Sequence, residues 1–219
     1  MNTKTKNLTL AAMLAAVAFL VMLLGRLPIM PAVSFLKYDP KDVVIAIAGF
    51  LLGPVQGLLI TVVVSLIEMF TVSETGLIGF AMNVLSTGAF MLPAALIYRN
   101  SRTRRGAVMG LCLGVVCMSV IMLAWNFIIT PLYMKVPRQT VAGMLLPVFL
   151  PFNLLKGALN AGITMLIYKP VAQALRRAHL LPEAPSSEGR RVQFSLGVTL
   201  AAVFVVATAI VCFWLLGRV

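Results

Sequence analysis

The sequence predicts an all-α integral membrane protein with six helices in one bundle and an additional C-terminal transmembrane helix. Hydrophobic residues make up 61% of the 219 residues, and the mean hydropathy is +1.02. A spanning helix needs roughly 20 apolar residues, and the chain holds several such stretches. Lysine and arginine total 18 against 6 acidic residues, but they mostly flank the apolar stretches and form no basic stripe. The composition indicates the lipid bilayer as a partner and argues against nucleic-acid binding.

The first helix is predicted over residues 8–25. Lys4 and Lys6 precede its apolar run, as in a signal peptide, but the run is longer than a typical signal core. Arg26 and two prolines follow it without a clear small-residue cleavage site, so we expect the helix to be retained. Residues 26–41 then form a polar, proline-rich loop.

The next apolar segment, over residues 42–52, is too short to span a hydrocarbon core of ~30 Å comfortably. It ends at Gly53-Pro54, and short or broken helices beside polar loops are common where transporters build their sites. Longer apolar runs predict the other helices, over 55–72, 78–98, 107–129, 147–169 and 194–216, and TPLYMKVPRQT predicts a loop over 130–146.

These segments divide the chain into a transmembrane bundle over residues 1–176, a linker over 177–193 and a last helix within 194–219. The linker is rich in proline, serine and charge. A cytoplasmic N-terminus puts eleven lysines and arginines on the inner face and six on the outer face, which the positive-inside rule favours. The linker is then cytoplasmic, and the loops 26–41 and 130–146 meet on the outer face.

Some polar residues lie inside or at the ends of apolar runs, where each needs a partner, a cavity or a ligand. They are Glu68, Asn83, Asn126, Asn153 and Lys156. Asn153, Lys156 and Asn160 recur three and four residues apart, so they share one helix face. Amides donate and accept hydrogen bonds and lysine donates three, which suits a planar ligand edge with carbonyl and N–H groups. The pattern predicts an intramembrane binding site.

Other interpretations stay open for individual members of this set. Lys156 could extend its ammonium to the membrane surface, and Asn126 could cap a helix there. Asn83 could form a hydrogen bond between helices. Glu68 could be a buried acid, but Thr71 and further polar residues follow it closely, which favours a position at the membrane interface.

The first helix carries alanines four residues apart, Ala11 with Ala15 and Ala12 with Ala16. Small residues at this spacing let another helix approach closely. A docking surface for a partner and packing inside the bundle are both compatible with the pattern.

Catalytic and metal-binding patterns are absent from the sequence. It contains no HExxH, GxSxG or phosphate-loop motif, and one histidine with few acids leaves little for acid–base chemistry. Three cysteines without a CxxC pair predict neither a disulfide framework nor a zinc site. We therefore expect no enzyme, no metal and no cofactor, and active transport would need an energy source outside this chain.

Four segments together resemble a known family, the riboflavin-specific S components of energy-coupling factor (ECF) transporters. They are FLKYDPKDV at 35–43, FAMNVLST around Asn83, NFIITPLY at Asn126 and PFNLLKG at Asn153. With the alanine-rich first helix, the resemblance covers residues 8 to about 175. It implies a six-helix protein of the bacterial plasma membrane that takes up a vitamin from outside. A transmembrane T component and two cytoplasmic ATPases would power the uptake.

The resemblance also implies residue roles. Asn126, Asn153 and Lys156 would hydrogen-bond the polar edge of the flavin ring. The loop residues would line or close the pocket together with Asn83; they are Leu36, Lys37, Tyr38 and Asp39. The four alanines, Ala11, Ala12, Ala15 and Ala16, would dock on the T component. The last helix departs from the six-helix pattern and puts the C-terminus outside.

Three further functions are compatible with the sequence. The chain could serve another vitamin, such as thiamin, or act as a stand-alone carrier. A membrane-embedded enzyme or assembly factor using Glu68, Asp39 or Asp42 is the third, and the missing catalytic motifs argue against it.

Overall fold

The computed structural model describes residues 3–28 and 36–181, which are helical almost throughout. Within these two ranges, seven α-helices, one π-helical turn and one two-stranded ladder follow one another. They are α1 Thr3–Gly25, β1 Leu27–Pro28, β2 Lys37–Tyr38, α2 Lys41–Leu52, α3 Pro54–Thr71, α4 Gly76–Ser101, α5 Arg104–Met134, α6 Arg138–Met144, the π-helical turn Leu145–Phe149 and α7 Leu150–Arg177.

Five helical runs in the described part are long and apolar enough to cross a membrane. They are α1 from Thr5, α3, α4, α5 and the continuous run Arg138–Arg177. The 12-residue α2 is buried from Lys41 to Phe50, so it packs inside the bundle rather than along its surface. Gly53 ends α2 with a φ of 96°, a conformation that glycine adopts readily, and Pro54 starts α3.

The bundle is apolar outside and partly polar inside, the reverse of a soluble domain. Large apolar side chains point outward on the long helices, among them Leu24, Phe70, Leu77 and Val120. Asp42, Glu68 and Asn160 are at most 1% exposed. Lipid solvates the outer surface, and polar groups at that depth turn to one another. The chain is therefore a multi-pass membrane protein.

Glycines bring α4 and α5 into close contact. A Cβ on Gly114 would lie 2.2 Å from the carbonyl oxygen of Phe90, and one on Gly110 would lie 2.9 Å from Cα of Ala94. Both glycines lie on one face of α5, four residues apart, which is the spacing that lets membrane helices approach backbone to backbone. Gly157 likewise allows α7 to approach α5 closely, since a Cβ at this position would lie 2.9 Å from Cγ1 of Val115.

The structure corrects the predicted loop over 130–146. Helix α5 runs on to Met134 with Pro131 inside it, and a short turn at Lys135 leads into α6 at Arg138. A proline removes only one backbone donor, and Lys135 ends α5 in a left-handed conformation with its N–H bonded to the Pro131 carbonyl. The sixth predicted helix, 147–169, is likewise the middle of one helical run, Arg138–Arg177.

Two other expectations change at the edges of the bundle. The loop 26–41 contains an antiparallel ladder that pairs Leu27 with Tyr38 and Pro28 with Lys37, so the fold is not strictly all-α. The predicted linker begins packed, because Leu180 and Leu181 contact the apolar cluster of α1 and α2. The rest of the linker and the predicted last helix, 194–216, lie outside the described residues.

Candidate functional site

A cavity lies between Arg26, residues 36–39 and helices α4, α5 and α7, with about 470 Å³ of empty space, part of which is open to solvent. Its walls mix charged, amide and apolar side chains. They are Arg26, Leu36, Lys37, Asp39, Met82, Asn83, Ser86, Met122, Asn126, Phe152, Asn153 and Lys156. Seven of the eight residues predicted to bind a ligand are among them. The eighth, Tyr38, is buried beside the cavity and donates a hydrogen bond to Asn160.

The short ladder positions the loop residues. Because β1 pairs with β2, the chain returns from Arg26 to Lys37 and Asp39 at the same end of the bundle. Lys37 forms an ion pair of 2.9 Å with Glu74, in the α3–α4 connection. Its hydrogen bond and charge lower the pKa of the exposed Glu74 carboxyl. The ladder thus joins the two ends of the loop to each other, and Lys37 adds an exposed ion pair with the α3–α4 connection.

The α7 residues follow the π-helical turn Leu145–Phe149. Pro147 lies within that turn and Pro151 just after it, and a proline has no N–H for the helical ladder. A wider turn is a frequent feature of functional sites in helices. Phe152, Asn153 and Lys156 come directly afterwards and reach the cavity. The Asn153 amide donates to the Phe149 carbonyl at 2.7 Å, which fixes the orientation of its side chain.

Helices α5 and α4 supply the other two amides. Asn126 donates to the Met122 carbonyl at 2.7 Å and accepts from Thr130 at 2.8 Å, so both ends of its amide are oriented by α5 itself. Within the described part of the chain, the Asn83 side chain makes no hydrogen bond to another residue and faces the cavity. The site therefore contains two amides, of Asn126 and Asn153, that the protein already orients. The amide of Asn83 can still form hydrogen bonds with a ligand.

A buried charge cluster lies beside the cavity. The Lys41 ammonium donates to Asp39 and to Glu68, at 2.5 Å in each case, and Arg26 pairs with Glu68 at 3.1 Å. Glu68 is 1% exposed: its carboxylate points into the protein near the end of α3, where two cations face it. Hydropathy alone could not reveal this, because both cations come from the preceding loop and α2.

A second cluster surrounds Asp42, which is fully buried. Its carboxylate faces the Lys156 ammonium at 3.1 Å and accepts hydrogen bonds from Thr87 at 2.6 Å and Asn160 at 3.2 Å. The sequence offered Asp42 only as a candidate for acid chemistry. One feature of the sequence could have indicated that Asp42 is buried in an ion pair. In FLKYDPKDV, several ionisable residues stand immediately before an apolar helix.

The alanines of α1 separate into two pairs. Ala11 and Ala15 are 7% and 8% exposed and pack in the apolar core with Leu14. Ala12 and Ala16 face outward. Among the described residues, α2 and α3 pack against the side of α1 that carries Ala11 and Ala15, and the side that carries Ala12 and Ala16 is exposed.

The cavity can hold an uncharged polar ligand. Its wall carries three cations and one carboxylate, and Lys37 and Arg26 each have an acidic partner nearby. Amides and an ammonium offer hydrogen bonds, while Met82, Met122 and Phe152 offer apolar contact. Within residues 3–28 and 36–181, no three side chains of His, Cys, Asp or Glu are grouped to hold a metal ion.

Comparison with known proteins gives one consistent result. The sequence profile of the family described as "ECF transporter, substrate-specific component" matches residues 6–168. The match ends before the predicted linker and last helix.

Individual relatives agree with this family match. The riboflavin transporter RibU of Staphylococcus aureus (strain TCH60) is 29% identical over 181 residues, covering 80% of this chain and 94% of the relative. The riboflavin transporter FmnP of Bacillus subtilis (strain 168) is 29% identical over 194 residues, covering 81% and 99%. A solved structure of the S component of a bacterial ECF transporter superposes with a TM-score of 0.67 at 30% identity, over 80% of this chain and 99% of that one.

Proposed function

This chain belongs to the substrate-specific components of ECF transporters, and from that premise we propose that it binds riboflavin for uptake into the cell. It is a transport component and not an enzyme, so the flavin is its cargo rather than a cofactor. The observation that carries the proposal is the approach of Asn126, Asn153 and Lys156 to one cavity, from two helices. Relatives that are riboflavin transporters support the choice of vitamin.

The chemistry of the cavity wall suits this ligand. Riboflavin has an apolar dimethylbenzene end, a planar imide edge and a hydroxylated tail. The two amides and the ammonium match the donors and acceptors of the imide edge, while Phe152 and the methionines suit the ring. Leu36, Lys37 and Asp39 line the same cavity as Asn83, and on this proposal they cover the bound flavin. Polar groups left unpaired by a wrong ligand would weaken its binding.

The energy for uptake comes, on this proposal, from a T component and two cytoplasmic ATPases. The chain itself has no phosphate-loop motif. Ala12 and Ala16 present small side chains on the outer face of α1, where a partner helix could approach closely. We assign docking to this pair, since Ala11 and Ala15 are occupied in the core.

The proposed setting is the bacterial plasma membrane with the N-terminus in the cytoplasm. The excess of lysine and arginine on that side supports this orientation. Arg26 and Lys37, which line the cavity, then lie on the outer side of the membrane. Vitamin would enter from there.

The test is a titration of the detergent-solubilised full chain, freed of co-purified flavin, with riboflavin. Flavin fluorescence should be quenched to saturation near one ligand per chain, and excess thiamin should not reverse the quenching. Folded protein that leaves flavin fluorescence unchanged would overturn the proposal. Thiamin that competes would redirect it to another vitamin, and uptake into vesicles without ATPase subunits would indicate a stand-alone carrier.

A further inference from the structure

Lys156 depends on a residue that does not line the cavity. Its ammonium lies 3.1 Å from the Asp42 carboxylate, which is completely buried at the start of α2. Lys156 itself is on the cavity wall. The pair therefore joins a wall residue to an acid behind the wall.

The Asp42 carboxylate is held from two helices. Thr87 on α4 donates to Oδ1 at 2.6 Å, and Asn160 on α7 donates to Oδ2 at 3.2 Å. Asn160 in turn accepts from Tyr38 at 2.9 Å, which connects this arrangement to the loop. An acceptor fixed in this way has a defined position against which a flexible cation can be oriented.

A lysine needs such an anchor more than other cations do. Its ammonium is a compact charge on a flexible four-carbon stem, and an unpaired one at this depth would extend toward water. One ion-pair contact leaves further ammonium hydrogens for a ligand. Lys41, the other buried lysine of the region, is already paired with Asp39 and Glu68, so Asp42 serves Lys156.

We propose that Asp42 is a positioning residue that holds the Lys156 ammonium toward the ligand in the cavity. The inference rests on the proposed function, since the ligand is riboflavin. Asp42 contributes to affinity only through Lys156 and has no contact with the flavin. The alternative is that Asp42 only holds α2 against α7. Its replacement would then lower riboflavin affinity by the same factor whether or not a lysine is present at position 156.

A double-mutant cycle separates the two roles. Riboflavin affinity is measured by fluorescence quenching for the unaltered chain, Asp42→Asn, Lys156→Met and the double variant. Positioning predicts that Asp42→Asn weakens binding about tenfold or more when Lys156 is present. In the Lys156→Met background the same change should alter affinity by less than about twofold.

Each outcome has a distinct meaning. Equal losses in both backgrounds, or no loss in either, would overturn the positioning role while leaving the proposed function intact. An unaltered chain that does not bind riboflavin would overturn the proposed function, and the inference about this ligand with it.

A second variant guards against loss of folding. Thr87→Val removes one hydrogen bond from Asp42 but keeps the carboxylate, and it should weaken binding less than Asp42→Asn, again only with Lys156 present. Tyr98→Phe is the matched control, because it deletes a hydrogen bond between α4 and α7 at Tyr168, away from the cavity. It should leave riboflavin affinity unchanged. Equal effects of Thr87→Val in both backgrounds would count against the inference.

Discussion

Lys41 and Glu68 form a completely enclosed ion pair, with 2.5 Å between Nζ and Oε2 and neither side chain more than 1% exposed. The pair joins the start of α2 to the last turns of α3, beside the cavity. Asp39 and Arg26 complete the cluster, so two acids face two bases. Such a cluster is stable only while it is complete, because a buried charge without a partner is costly.

Lys41→Met should strongly destabilise the protein. The change leaves Asp39 without the ammonium that it contacts and takes one of two cations from Glu68, and breaking a buried pair typically costs about 3–5 kcal/mol. Denaturant unfolding in detergent measures the loss. Glu74→Gln is the control, because Glu74 is exposed and its pair with Lys37 is screened by solvent, so its midpoint should not move measurably. Equal midpoints for both variants would contradict this account.

Gly114→Ala should loosen the contact between α4 and α5. The added methyl would lie 2.2 Å from the Phe90 carbonyl oxygen, which is backbone and cannot rotate away. Overpacking of this kind costs about 1–3 kcal/mol, visible as a lower thermal midpoint. Gly143→Ala in α6 is the matched control, since its new Cβ would meet no atom of the described residues within 4 Å beyond its own stretch of helix, and it should be neutral or slightly stabilising. A destabilised Gly143→Ala with an unchanged Gly114→Ala would refute the close-approach explanation.

Asn153→Ala should weaken riboflavin binding by about 0.5–3 kcal/mol, and Lys156→Ala by a similar amount, because each removes a hydrogen bond to the flavin. Fluorescence quenching measures both. Leu154→Ala is the control, as it shortens an exposed apolar side chain on the same helix and should leave affinity unchanged. Unchanged affinity in both site variants would remove these residues from the flavin site.

Replacement of Ala12 and Ala16 with leucine should spare riboflavin binding and abolish uptake by cells that express the T component and ATPases. Bulk on the outer face of α1 would keep a partner helix at a distance, while the core side of α1 is untouched. Val120→Phe adds bulk to the exposed surface of α5 and should preserve uptake. Uptake that survives in the alanine variant would exclude this face as the docking surface.

The sequence predicted the helical bundle well because hydropathy is a local property. The runs at 55–72 and 78–98 match α3 and α4 within a few residues. The failures occur where local signals conflict: Pro131 suggested a loop, yet the helix continues through it. The ladder between Leu27 and Tyr38 left no signal, because two-residue strands have no periodicity to detect.

The binding site was also predictable only where the sequence pattern is local. The positions of polar residues in apolar runs singled out Asn126, Asn153 and Lys156, because a polar side chain inside a membrane needs a hydrogen-bonding partner in any fold. The sequence could not show which residues these side chains contact. Asn160 and Asp42 are 118 residues apart in sequence, and no local pattern pairs them.

By itself the sequence determined that this chain enters a membrane, which stretches are apolar enough to span it and which polar side chains must be satisfied inside. Those properties follow from the free energy of transferring each segment and each side chain out of water. Only the tertiary structure decided that Asp42 faces Lys156, that Glu68 turns inward to Lys41, and that Ala12 is exposed on α1 while Ala11 is buried. Helix rotation and packing settle such pairings, because every helix has several faces and the contacts among all of them are satisfied together.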